Sequence, residues 1–167
     1  MRDRWSRVAA LNFSWIEKDV IAGCRGPRTD EDLDLLHSIG IRALVRLAAE
    51  EENGLTSADI KRSGIRDCYE PVPDWTAPSP QQIDRIVVFL DEARTRNAPI
   101  AVSCGAGCGR TGTVLACYFV SRGLPPQEAI DKLIAARPCS KEILSVQGQK
   151  EAVFEAYERR QGGPPAA

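Results

Sequence analysis

Cys104, Arg110 and the small residues between them, Gly105-Ala106-Gly107-Cys108-Gly109, are the part of this sequence best suited to chemistry. A short apolar run, Pro99 to Val102, leads through Ser103 into Cys104, and Thr111 opens a long apolar stretch after Arg110. Glycine takes φ > 0 at little cost. A loop built from it can curl until successive backbone N–H groups share one concavity, an anion-binding nest. Where the loop runs into a helix, the first-turn N–H groups and the positive dipole end join that cradle. Arg110 is near enough to fold back and close it, and its planar fork suits a phosphate in two-point contact. Cys104 would then sit below a helix N-terminus and near a guanidinium, surroundings that favour the thiolate over the thiol. A thiolate and a seat for a tetrahedral anion in one loop suit attack on a phosphoryl group with a covalent intermediate.

Rival readings of the loop fit less well. Gly107-Cys108-Gly109-Arg110-Thr111-Gly112 matches the spacing of a dinucleotide-binding turn. That fold needs a further strand ending in an acidic residue about 20 positions on, and the chain after Gly112 reads as helices, with Asp131 inside one. An ATP-type loop needs a first glycine where Cys104 stands and a lysine where Arg110 stands. A plain strand-to-helix turn with a buried small cysteine leaves Arg110 unexplained.

The elements that must position this loop follow from pattern. Phe13–Ile16 and Asp19–Ala22 read as two opening strands. Thr29 caps a helix through Leu33, Leu35, Leu36 and Ile39, with Asp30, Glu31 and Asp32 in its first turn and a stop at Gly40. A strand from Ile41 to Leu47 precedes Glu50-Glu51-Glu52-Asn53-Gly54, read as an acidic loop with a solvated face. Thr56–Ser63 is a short helix and Ile65–Val72 a strand. Pro71, Pro73 and Pro78 force an exposed loop around Asp74 and Trp75. Ser79-Pro80-Gln81-Gln82 is a capping box for a helix with Ile83, Ile86, Val87, Leu90 and Ala93 on one stripe. Thr111–Ser121 is apolar nearly all round and predicts a central buried helix. Helices from Pro125 to near Pro138 and from Ser145 to Arg159 complete the chain. This order predicts an α/β fold, a mostly parallel central sheet of about four or five strands flanked by helices, with the cysteine loop at the carboxyl end of a strand. Residues 1–160 are expected to form one domain and 161–167 a disordered tail.

Composition narrows the function. The 167 residues carry a net charge of −1, which gives no field to draw the chain to nucleic acid or an anionic membrane. There is no apolar run long enough to cross a bilayer. The six cysteines are scattered, with no paired C-x-x-C clusters and only His37 beside them, so no zinc site is read. A reduced, cytoplasmic protein is the expectation.

Cys-x5-Arg-Thr between a strand and a helix resembles the signature of cysteine-dependent protein phosphatases. Asn12-Phe13-Ser14-Trp15, Pro73-Asp74, Gln82-Ile83-Asp84-Arg85, Gly109-Arg110-Thr111-Gly112-Thr113, Leu115-Ala116-Cys117-Tyr118, Arg137-Pro138 and Ala152-Val153-Phe154 extend the likeness to the small atypical dual-specificity phosphatases, over most of residues 12 to 158. The resemblance implies a protein-tyrosine-phosphatase-like fold and a phosphocysteine intermediate on Cys104. It implies that Arg110 and the N–H groups of Gly105, Ala106, Gly107, Cys108, Gly109 and Arg110 hold the phosphate oxygens. Asp74 would be general acid and then base, Thr111 would hydrogen-bond the departing sulfur, and Gln149, or Gln147 nearby, would place the water. No metal or organic cofactor is called for. A phosphorylated protein or small aryl phosphate is the implied partner, with inorganic phosphate or another tetrahedral oxyanion in the loop.

One departure stands out. Family members usually carry histidine before the nucleophile, where this chain has Ser103. A serine hydroxyl donates one hydrogen bond but carries no charge, so weaker turnover near neutral pH is expected, or a module that binds phosphate without turnover. Cys108 lies four positions after Cys104 and could pair with it on oxidation; filling a loop position is the simpler reading. The absence of basic residues from Gly105 to Gly109 favours phosphoprotein or aryl phosphate over polyphosphorylated lipids. Sulfur-transfer or arsenate-reducing chemistry also uses a cysteine in an anion loop, but has no clear use for Asp74.

Overall fold

A computed structural model of the chain describes residues 3–162. Five strands form one sheet: β1 (Ser14–Glu17), β2 (Ile21–Arg25), β3 (Ala43–Arg46), β4 (Arg66–Tyr69) and β5 (Ile100–Cys104), in the order β1-β2-β5-β3-β4. Only β1 runs antiparallel; β2, β3 and β4 are parallel to β5 or to each other. The last strand in sequence is therefore central in space, with β2 and β3 on either side. Its carboxyl end lies between those of two parallel neighbours, the end at which such sheets seat ligands.

Eight helices cover the sheet: α1 (Arg4–Ala10), α2 (Asp30–Ser38), α3 (Glu50–Asn53), α4 (Ser57–Arg62), α5 (Pro80–Thr95), α6 (Gly109–Ser121), α7 (Pro126–Ala136) and α8 (Gln149–Gln161). One face packs Ile21, Val45, Ile100 and Val102 against α5, α6, α7 and α8. The other packs Cys24, Leu44 and Ala101 against α1, α2 and α4. Thr29 and Ser79 cap α2 and α5 as their sequences require. Every residue of α6 from Gly109 to Val120 is buried, as its apolar sequence predicts.

The structure corrects several boundaries. Arg4–Ala10, to which the sequence pattern assigns no element, is helical and buries Val8. The acidic loop is the short α3, ended by Gly54 at φ 82°. A 3-10 segment, Pro138–Leu144, follows α7, so α8 begins at Gln149 rather than Ser145. Helix α8 also runs to Gln161, one residue into the stretch read as tail; 163–167 lie outside the described residues. No helix among the described residues is long and apolar enough to cross a membrane.

Candidate active site

Strand β5 delivers Cys104, buried, to the floor of a five-residue turn that ends in α6. The Cys104 Sγ accepts a hydrogen bond from the Gly107 N–H at 3.2 Å. Gly107 has φ 83°, and a Cβ there would run into the Cys24 backbone, so glycine is required by both conformation and space. The loop's outward carbonyls are held from behind. The Asn12 side chain donates to Ala106 O at 3.1 Å, and Arg137 donates to Gly107 O at 2.6 Å. In a trans peptide the following N–H points the opposite way. These contacts therefore turn the Gly107 and Cys108 N–H groups inward, which is the nest the sequence predicts.

Arg110 folds back over the loop, with Nη2 lying 3.1 Å from where a Gly105 Cβ would sit. Its Nη1 donates to Val72 O at 2.7 Å and to Glu52 Oε1 at 3.1 Å. Its Nη2 meets Glu52 Oε2 at 3.0 Å and Asp74 Oδ1 at 3.2 Å. Burial works against this charge. The Glu52 hydrogen bonds and the charges at Cys104, Glu52 and Asp74 outweigh it and hold the guanidinium above its ordinary range. The Arg110 hydrogen bonds in turn hold the Glu52 carboxyl below the usual carboxylate range.

Asp74 reaches the mouth of the loop through Arg110, from the proline-rich segment, and stays largely exposed. Trp75 beside it is 68 % exposed at φ 58°, an unusual conformation for a bulky side chain. Gln149 is buried at the start of α8 and donates to Thr76 O at 3.0 Å. Its Oε1 has no hydrogen-bond partner and lies 2.9 Å from where a Gly109 Cβ would be, beside Glu142 Oε1 at 2.8 Å. Gln147 is exposed, so Gln149 is the glutamine at the loop. The Thr111 hydroxyl is buried but makes no hydrogen bond, so the expected bond to Cys104 is not formed. Ser103 donates to Val45 O at 3.0 Å; its hydroxyl is used by the sheet.

Two expectations are corrected. Cys108 does not pair with Cys104 and is more than a filler: it forms a disulfide with Cys139, with Cα atoms 5.3 Å apart. The 3-10 segment packs against the first turns of α6 and brings Cys139 to the outer side of the loop, whereas the Cys104 Sγ faces the Gly107 amide. The acidic run is likewise not all solvated face, since Glu52 grips Arg110 and Glu50 reaches Arg46. Glu52 and Glu142 are the site carboxylates that sequence reasoning missed.

A family model described as "Swiss Army Knife protein, DSP-PTPase phosphatase domain" matches residues 10–158. The chain belongs to this family. Among solved structures it is similar to Tk-PTP in its active form, at 29% identity and a TM-score of 0.80, covering 88% of this chain and 97% of that one. PTPMT1 in complex with PI(5)P, at 19% identity and a TM-score of 0.77, covers 90% of this chain and 97% of that one and shares the fold. Among curated proteins, MJECL20 of Methanocaldococcus jannaschii is 33% identical over 98 residues, 58% of this chain and 63% of that protein. The tyrosine-protein phosphatase cdc-14 of Caenorhabditis elegans is 25% identical over 150 residues, 81% of this chain and 20% of that protein. The matched stretches thus span less than two thirds of these curated relatives.

Proposed function

We propose that this DSP-PTPase domain is a phosphatase for phosphotyrosine, and for phosphoserine or phosphothreonine where the pocket is shallow enough, acting through a phosphocysteine on Cys104. The observation that carries the reading is the convergence of Cys104, the inward amides, Arg110 and Asp74 at one loop. In the first step the Cys104 thiolate attacks phosphorus. The S–P bond forms, the P–O bond to the substrate breaks, and Asp74 protonates the leaving oxygen. The amides and Arg110 stabilise the charge on the equatorial oxygens. In the second step water attacks phosphorus, the S–P bond breaks, and Asp74 accepts the water's proton. Gln149, with Glu142 beside it, orients that water; the closeness of both to Gly109 supports the role. Uncharged loop residues and the exposed Trp75 support an aryl phosphate over a polyphosphorylated headgroup.

The test is hydrolysis of p-nitrophenyl phosphate and a phosphotyrosine peptide by the wild type, Cys104→Ser and Asp74→Ala. Turnover should vanish in Cys104→Ser and fall roughly 10²-fold in Asp74→Ala. Phosphate binding without turnover would make the chain a binding module, and activity with thiosulfate or arsenate alone would make it a different enzyme.

A further inference from the structure

Three arginines are buried beside the sheet: Arg46, Arg110 and Arg137, at 4%, 3% and 3% exposure. Two have carboxylate partners. Arg46 meets Asp67 through two bonds of 2.8 Å and Glu50 at 3.4 Å. Arg110 meets Glu52 and Asp74. Arg137 has no carboxylate among the described residues. Its Nη1 donates to Asn12 O at 2.9 Å, Ser14 Oγ at 2.6 Å and Gly23 O at 2.9 Å, and its Nη2 donates to Gly107 O at 2.6 Å. Its Nε is buried without an acceptor. Every close oxygen is neutral.

A buried cation with no counter-charge is costly, and neutral acceptors offset only part of that cost. The fold nonetheless makes room for this one. A Cβ at Gly23 would come within 2.8 Å of Arg137 Nε, so the guanidinium lies against bare backbone. Burial pushes Arg137 below the usual arginine range, opposed by charge at Cys24 and Cys104. Cys24 is itself fully buried, and that burial pushes its thiol up to about 12, so at neutral pH it holds its proton. Arg137 reaches the loop at Gly107, whose carbonyl it holds and whose N–H donates to the Cys104 Sγ.

We propose that Arg137 is the second cation of the phosphate loop, a positioning residue whose buried charge is balanced by the Cys104 thiolate and by the oxyanion held above it. The identity of that anion rests on the phosphatase reading. Arg137 acts in two ways. It turns the Cys108 N–H into the ring by holding Gly107 O, and it adds a positive charge from behind. The other charged or titratable groups around the loop are Arg110 with its partners Glu52 and Asp74 in front, Cys24 on β2, and Glu142 beside Gly109.

The experiment measures alkylation of Cys104 by iodoacetamide against pH, with each site resolved by mass spectrometry. Reductant is omitted so that Cys108 and Cys139 stay bonded. Arg137→Met removes the charge, Arg137→Lys keeps it, and Ser14→Asp supplies the missing carboxylate without removing the guanidinium. The alkylation midpoint should rise by about one pH unit in Arg137→Met and Ser14→Asp and hold in Arg137→Lys. Protection by inorganic phosphate should weaken about tenfold in the first two. Ser14→Asp adds a partner to a folded protein, so it reads the charge even if Arg137→Met does not fold. An unmoved midpoint in Ser14→Asp overturns the proposal, because a purely structural arginine would gain an ion pair and leave the thiol alone. Hydrolysis of p-nitrophenyl phosphate by the same wild-type preparation separates the two claims. Turnover with an unmoved midpoint sinks only the role of Arg137; a moved midpoint without turnover sinks only the phosphatase reading.

Discussion

The loop has two sides, and they are built from different interactions. In front, Arg110 is held by carboxylates, Glu52 and Asp74, that are a third or more exposed. Behind, Arg137 is held by buried neutral oxygens, and the Cys108–Cys139 disulfide ties the loop to the 3-10 segment. Front-side partners sit near water and can be exchanged for a substrate's oxygens at modest cost. Those behind are fixed by backbone geometry and a covalent bond. The proposed function gives this division a use, because the donors of a catalytic loop must already point at the developing charge when the substrate arrives.

The comparison breaks most visibly at Arg110. Arg110→Lys keeps a positive charge in front but loses the planar fork that spans Glu52 and Val72 O. Turnover of p-nitrophenyl phosphate should fall roughly 10³-fold, with the melting temperature little changed. A loss below tenfold would mean that charge alone suffices in front, and the contrast with Arg137 would lose its meaning.

Covalent closure behind the loop gives the next largest effect. The disulfide spans 31 positions, and closing a loop of that length is worth about 3–4 kcal/mol in unfolded-chain entropy. Cys139 is exposed and Cys108 half-buried, so a reductant can reach them. Chemical denaturation with and without dithiothreitol should show that loss in the wild type and none in Cys139→Ser. Equal stability in both conditions would show that Asn12 and Arg137 alone hold the back of the loop.

How much of this was readable beforehand follows the same division. Cys104, Gly107 and Arg110 are legible because a nest demands small residues between an anchor and a fork. Asp74 is legible because three nearby prolines exclude any regular element. The sheet followed from apolar runs and caps such as Thr29 and Ser79. Glu52 was hidden because three glutamates in a row look like a solvated face. Only the left-handed turn at Gly54 and the α3 helix direct Glu50 to Arg46 and Glu52 to Arg110, 58 positions away. Cys139 and Arg137 were opaque for the same reason. Cys139 meets Cys108 across 31 positions, and the partners of Arg137 are oxygens at Asn12, Ser14, Gly23 and Gly107, so no local pattern encodes either contact.

The smallest effect sharpens the front side. Glu52→Gln keeps one acceptor for Arg110 and removes the charge. Because the pair is partly exposed, kcat/KM should fall roughly fivefold, the equivalent of about 1 kcal/mol. Its pH dependence carries the sharper information. The Glu52 carboxyl titrates lower in the folded chain than its ordinary value of 4.5, chiefly because of its hydrogen bonds to Arg110. A lowered carboxylate stabilises the fold fully above that ordinary value and loses the contribution as pH falls through the folded-state value. The wild type should therefore melt above Glu52→Gln at pH 6–7, and the gap should close as the pH drops below about 4. No gap at pH 6–7 would show that Glu52 supports Arg110 through shape, which glutamine keeps, and the front would then resemble the back more closely than its carboxylates suggest.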